Sequence, residues 1–179
     1  MKTPTKTATA YHEAGHAFAS WRSGFKVKSA TIVPEGDSAG HIVSKTHLHL
    51  RSLGYTDPSG ARIGRLHMRV VCLFAGHAAQ HHYCRGSVRP WHASSDNAAI
   101  MDLLWSLHSK EEIPHVWKYL RVRTKNLVEV NWFVIQHLAK ELLRLDTMTG
   151  NQVEVAIREG YRRDFQRRTT TNKTKGVRQ

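Results

Sequence analysis

The chain has only two cysteines in 179 residues, too few for a disulfide framework. Cys72 and Cys84 lie twelve residues apart in what reads as one helix, about 18 Å along its axis. A disulfide needs Cα atoms within about 7 Å, so both are expected to be buried apolar thiols. No apolar run approaches the roughly 20 residues that span a bilayer. No hydrophobic signal segment opens the chain either, and the expected compartment is the cytoplasm. Acids are scarce as well: 14 Asp and Glu against 27 Lys and Arg leave a net charge of +13.

What is present describes one globular domain. Apolar residues make up 40% and charged residues 23% of the chain, an ordinary balance for a single core of this length. The charge is uneven. From Tyr161 to Gln179 seven Lys or Arg face one acid, Asp164, so this stretch holds +6 of the +13. The expected division is therefore a folded domain over 1–160 and a basic tail over 161–179, disordered beyond about Phe165. Such a tail either solubilises the chain or touches nucleic acid, acidic headgroups or an acidic partner. No aromatic interleaving or nucleic-acid motif accompanies the charge, which favours the first role.

Periodicity predicts a mostly α protein with a small β-sheet or hairpin. A first helix over about Thr5–Ser23, with Thr3 as N-cap, Pro4 in its first turn and Gly24 as its stop, carries an apolar stripe of Ala10, Ala14, Ala17, Phe18 and Trp21. Two short strands follow near Val27–Val33 and His41–Lys45. A second helix should start at Asp57-Pro58 and reach about Cys84, burying Ile63, Leu66, Val70, Phe74 and Ala78. A third starts near Ser94. The longest helical pattern runs from Glu111 to Leu145. A last helix opens at Thr149, where Thr149-Gly-Asn-Gln152 matches a capping box.

The chemistry sits in the first helix. His12-Glu13-Ala14-Gly15-His16 is an HExxH sequence, and four residues is about one helical turn, so both imidazoles leave one face and can meet one ion. Glu13, beside the remaining coordination position, is placed to take a proton from zinc-bound water and pass it to a leaving amine. With 13 histidines in the chain, a bare motif carries a false-positive risk; the amphipathic helix around it is the context this chemistry requires. A third ligand is needed from elsewhere. Ala19 and Arg22 occupy the positions of an HExxHxxGxxH pattern, and Glu35 lies in a turn, so the nearby options are closed.

The sequence Ala10-Tyr11-His12-Glu13-Ala14-Gly15-His16-Ala17 resembles the opening of the peptidase domain of FtsH, the membrane-bound ATP-dependent zinc protease. The likeness continues in order: Lys28–Pro34 is similar to the strand after the motif helix. Ala75-Gly76-His77-Ala78-Ala79 resembles a Gly-Gly-Arg-Ala-Ala segment, and Ala93-Ser94-Ser95-Asp96 an Ala-Ser-Asn-Asp segment. Leu145–Gly150 resembles the turn before the last helix. The resemblance implies a zincin-like FtsH peptidase-domain architecture, one Zn2+ per chain, and Asp96 as third ligand beside His12 and His16. On its own, Asp96 would read as a helix-start acid complementing the helix dipole.

There are departures. No G-x-x-x-x-G-K-[ST] phosphate loop occurs, so the implied enzyme is ATP-independent and unaided unfolding of stable proteins is not expected. His77 stands in place of Arg, and Gln80 and His81 in place of two acids, which puts the hydrogen bonding around the ligands in question. His77 and His81, one turn apart, could also form a second metal pair, and His92 lies near Asp96 in sequence.

The resulting expectation is a zinc metalloendopeptidase with Glu13 as general base, cutting unfolded segments or peptides that lie along an edge strand such as His41–Lys45. A separate unfoldase could supply its substrates, and the family's ring assembly makes a homo-oligomer an option. Two alternatives compete: a regulatory or binding protein that keeps the fold but cleaves little, and a basic nucleic-acid-binding protein acting through the tail.

Overall fold

A computed structural model describes residues 5–34, 40–45, 60–87 and 94–176. Its elements are α1 (Lys6–Arg22), β1 (Lys26–Thr31), β2 (His41–Lys45), α2 (Gly60–Tyr83), α3 (Ser94–Trp105), α4 (Ile113–Val130), α5 (Trp132–Leu145), β3 (Thr147–Thr149) and α6 (Gly150–Gly176). A single 3-10 turn, Arg85–Ser87, follows α2. Helix dominates, and the three strands form one small antiparallel sheet in the order β2-β1-β3. Among the described residues no helix is long and apolar enough to cross a membrane.

α1 is the centre of the molecule, packing on α2, α5 and β1. Its N-cap is Thr5, whose Oγ1 accepts from the Ala8 amide at 3.2 Å. The expected cap at Thr3 and the Pro4 beside it lie outside the described residues. Gly24, at φ 75°, ends the helix in the left-handed region, where glycine carries no steric cost. The stripe Ala10, Ala14, Ala17 and Phe18 is buried against Val27 and Ala30 of β1, Ile135, Leu138 and Leu142 of α5, and Val153 and Ile157 of α6. Trp21 packs on the edge of this core.

α2 lies between α1 and α4. Val70 and Phe74 join Ile100 and Leu104 of α3 and Ile113 and Leu120 of α4 in a second core. Cys72, Ala75, Gly76 and Ala79 are buried as well. Ile63 and Ala78, expected in the core, are half-buried at its margins. The start expected at Asp57-Pro58 lies outside the described residues. Cys72 is buried as expected, but Cys84, just past the helix end, is exposed.

Two expectations are corrected. The long pattern from Glu111 to Leu145 is two helices. Asn131, at φ −107° and ψ 19°, separates them. Its side-chain amide donates to the Leu127 carbonyl at 2.8 Å and its oxygen accepts from the Tyr161 hydroxyl of α6 at 2.9 Å. The two bonds fix the break, and an apolar count cannot register it. Second, the turn before the last helix contains β3: Met148 pairs with Ala30 and is buried. The capping box behind it forms, with Gln152 Oε1 accepting from the Thr149 amide at 2.8 Å and Thr149 Oγ1 from the Gln152 amide at 3.3 Å.

α6 runs from Gly150 to Gly176, through Tyr161 and Phe165. Charge spacing supports that length. Arg158 pairs with Glu154, Arg162 and Arg163 with Glu159, and Arg167 and Arg168 with Asp164, all at three- or four-residue steps. Each such pair stabilises helix by roughly 0.2–0.5 kcal/mol.

The α1–α2 approach is the tightest feature of the fold. A Cβ on Gly15 would collide with the Ala75 carbonyl and lie 2.7 Å from the Ala79 Cβ. Backbone offers no room to yield, so Gly15→Ala should destabilise the protein by about 1–3 kcal/mol, read as a lowered urea midpoint at unchanged slope. An unchanged midpoint would mean that the helices can separate without loss.

Candidate metal centre

Helix geometry carries His12 and His16 to the side of α1 that faces α2. The two Nε2 atoms lie 2.9 Å apart. Asp96, in the first turn of α3, brings Oδ2 to 3.4 Å from His12 Nε2 and 3.3 Å from His16 Nε2. Among the described residues these three form the only His/Cys/Asp/Glu group of three or more with ligand atoms close enough to share an ion.

The other ring nitrogens decide which atoms are available. His16 Nδ1 is 2.7 Å from the Cys72 carbonyl of α2. A carbonyl only accepts, so Nδ1 carries the hydrogen and donates. His12 Nδ1 is 3.2 Å from Gln80 Oε1. The Gln80 amide is oriented in turn, because its Nε2 donates to the Ser87 carbonyl at 3.1 Å. Its oxygen must then accept from His12 Nδ1. Both histidines therefore direct Nε2 inward, toward the same point as a carboxylate oxygen, and each offers a lone pair there once that nitrogen is deprotonated. Positioning of this kind through the second nitrogen is what metal-binding imidazoles use.

Electrostatics adds to the geometry. Burial alone would lower the His16 pKa, but hydrogen bonding to Asp96 and the Asp96 and Glu13 charges outweigh it and raise it to about 9. Burial likewise works against the Asp96 carboxylate, yet its bonds to the two imidazoles hold it well below the usual carboxylate range. The cluster thus favours a positive charge between its three atoms. Donors at about 2.0–2.1 Å around a tetrahedral zinc ion stand about 3.3–3.4 Å from one another. The two His–Asp separations match that edge, and the His–His separation is shorter. Two imidazoles and one carboxylate fit zinc, and would also accept iron, nickel or cobalt.

Glu13 is 4% exposed. Burial, the main cause, raises its pKa above the usual carboxylate value, and the Asp96 charge adds to this; the His16 and His12 charges pull the other way. Gly40, at the entrance to β2, presses on α1 here: a Cβ there would lie 3.1 Å from Glu13 Cγ and 3.0 Å from Thr9 Cγ2. The edge strand therefore starts beside the buried carboxyl. Such a carboxyl holds a proton to higher pH than a surface glutamate does.

The roles of Gln80, Gly76 and the Cys72 carbonyl are not evident from motif reading. They share one signal: residues 72, 76 and 80 recur at four-residue steps and so form one stripe of α2. Gly76 must be glycine because the His16 ring occupies the space of its Cβ. Gln80 supplies a hydrogen bond to a candidate ligand. His77 and His81 stack with ring centroids 6.2 Å apart, but no third ligand joins them among the described residues. His92 lies outside the described residues.

Gln80→Ala frees the His12 ring and should weaken zinc binding by about 10-fold or more, read by competition with a chromophoric chelator; unaltered affinity would remove Gln80 from the site's support. Since the His16 proton is held up to about pH 9, an ion binding below that pH displaces it. Zinc affinity should therefore rise with pH, by up to about tenfold per unit while one proton is released, until the His16 pKa is passed. Calorimetry in buffers of different ionisation enthalpy counts that proton. No release at neutral pH would show that His16 is already deprotonated.

Neither the models of known protein families nor the curated protein sequences give a match to this chain, so the chemical reading of the site rests on its own atoms.

Proposed function

We propose that this chain is a zinc-dependent endopeptidase domain of FtsH-like, zincin-type architecture, hydrolysing peptide bonds in unfolded segments or peptides without ATP. The observation that carries the reading is the convergence of His12 Nε2, His16 Nε2 and Asp96 Oδ2 beside a buried glutamate. His12, His16 and Asp96 hold the ion, and three protein ligands leave a position open for chemistry. Zinc, when bound, supplies a Lewis acid that makes water acidic enough to ionise near neutral pH.

The chain's own residues do the rest. A Glu13 carboxylate oxygen takes the proton from the attacking water as its oxygen bonds to the scissile carbonyl carbon. The same oxygen then returns that proton to the leaving nitrogen as the C–N bond breaks, so Glu13 ends as it began. β2 is an edge strand of the sheet. A substrate in extended form can add to it through backbone hydrogen bonds, which brings a peptide past Glu13 without demanding particular side chains. Substrates of this kind have to arrive unfolded, from a separate unfoldase or as free peptides. A homo-oligomeric assembly is compatible with this reading.

The regulatory alternative rests on the missing ATPase module and on the altered residues His77, Gln80 and His81. The Gln80–His12 bond weakens that motive, since the substitution keeps a hydrogen-bond partner on the imidazole.

Metal content and cleavage of casein or a quenched fluorescent peptide should be measured together in wild type and Glu13→Gln. The expected result is one zinc per chain in both proteins, with turnover reduced at least about 100-fold in the variant, the lower range for a lost general base. Equal cleavage by both would end the Glu13 assignment. Zinc in both with cleavage by neither would support the regulatory role.

A further inference from the structure

The cations of α6 and α4 differ in how they are partnered. In α6, Arg158, Arg162, Arg163, Arg167 and Arg168 each lie against an acid one turn away. α4 differs: its only acid is Glu129, near the C-terminal end. Lys118, Arg121 and Lys125 are exposed and recur at three- and four-residue steps, forming one stripe. Lys125 reaches Glu129 at 3.6 Å, whereas among the described residues Lys118 and Arg121 have no carboxylate partner. The neighbouring helix α2 contributes no acid in 24 residues.

One position along from Lys118, and about 100° further around the helix, stands an exposed aromatic ring. Tyr119 is 56% exposed, and Arg123 Nη1 donates to its hydroxyl at 3.1 Å. The ring and guanidinium are thus held together at the surface. The charge is permanent at neutral pH, because it belongs to Lys and Arg. The nearest imidazoles on α2 are held neutral: burial first, then the charges of His108 and Arg123, lower the His67 pKa. Burial, then His12, His81 and Arg121, lower that of His77.

We propose that the outer face of α4 binds single-stranded nucleic acid, the Lys118–Arg121–Lys125 stripe taking phosphates and the Tyr119 ring stacking on an unpaired base. A cationic track beside an aromatic platform is the arrangement that single strands require, because every base offers a stacking face. The stripe spans roughly 10 Å, enough for a short run of phosphates. An anionic membrane is less well matched. The exposed apolar residues Val122 and Val130 stand singly among charges, without the continuous apolar face of an interfacial helix. The proposal does not depend on the peptidase reading.

The test is fluorescence anisotropy of a labelled single-stranded DNA oligonucleotide at several salt concentrations, using the full chain. Three variants are compared with wild type: Lys118→Glu/Arg121→Glu, the charge-matched Arg158→Glu/Arg163→Glu, and Tyr119→Ala. All five positions are exposed, and circular dichroism checks that each variant is folded. Wild type should bind with an affinity that falls as salt rises. The α4 double variant should bind at least about 10-fold more weakly, and its salt slope should drop by about 0.7 for each phosphate that is no longer neutralised. The α6 variant should lose much less. Tyr119→Ala should weaken single strands about 5-fold or more and leave duplex affinity unchanged. Equal losses in the two double variants would reduce the effect to net charge and overturn the proposal. So would absence of binding at low salt, single-strand binding indifferent to Tyr119→Ala, or binding confined to phosphatidylserine vesicles.

Discussion

The close crossing of α1 and α2 is the contact on which the rest of the molecule depends. Gly15 lets the Ala75 backbone lie directly on α1, and Gly76 leaves the space that the His16 ring fills. At that separation a main-chain carbonyl, Cys72, can reach His16 Nδ1, and a glutamine one turn beyond Gly76 can reach His12 Nδ1. Had either glycine carried a side chain, the helices would stand apart and both imidazoles would lose the partners that set their tautomers. The same crossing places α2 against α4 and α3 on its other side, which is how Asp96 arrives at the pair.

Burial and charge at the site act against one another in a useful way. Removing Glu13, His16 and Asp96 from water disfavours their charged forms. The opposing charges are close enough to reverse that effect for His16 and Asp96, though not for Glu13. The result is three atoms that favour a cation and one neighbouring carboxyl that holds a proton more readily than a surface acid does. The distinction arises from position alone, since Glu13 and Asp96 carry the same functional group.

Elsewhere the charge pattern has two different consequences. Along α6 five arginines pair with three acids one turn away, Glu154, Glu159 and Asp164, and the pairing supports its length beyond the end of the core. Cations of α4 have almost no acids to meet, so their field is directed outward. A net charge counted along the chain cannot separate these cases, because it ignores which charges share a helix face.

Several features were legible in the residues themselves. The apolar stripe of α1, the left-handed stop at Gly24, the capping box at Thr149 and the projection of His12 and His16 from one face all follow from local rules with periods of three or four residues. The nearness of Asp96 to that pair could be anticipated only through resemblance, since eighty residues separate it from His16 and no local rule spans them. Asn131 reads as one more helical position until Tyr161 of another helix bonds to it. Thr147–Thr149 becomes a strand only because β1 has a free edge to offer. Gln80 looks like a departure from a family pattern until the Ser87 carbonyl fixes which end of its amide faces His12. Sequence alone determined what each segment can form and which face it must bury, because those properties depend on neighbours within about one turn. Tertiary structure decided which lone pairs converge, which carboxyl holds its proton more tightly and where helices break, because each of these requires a partner from a distant part of the chain.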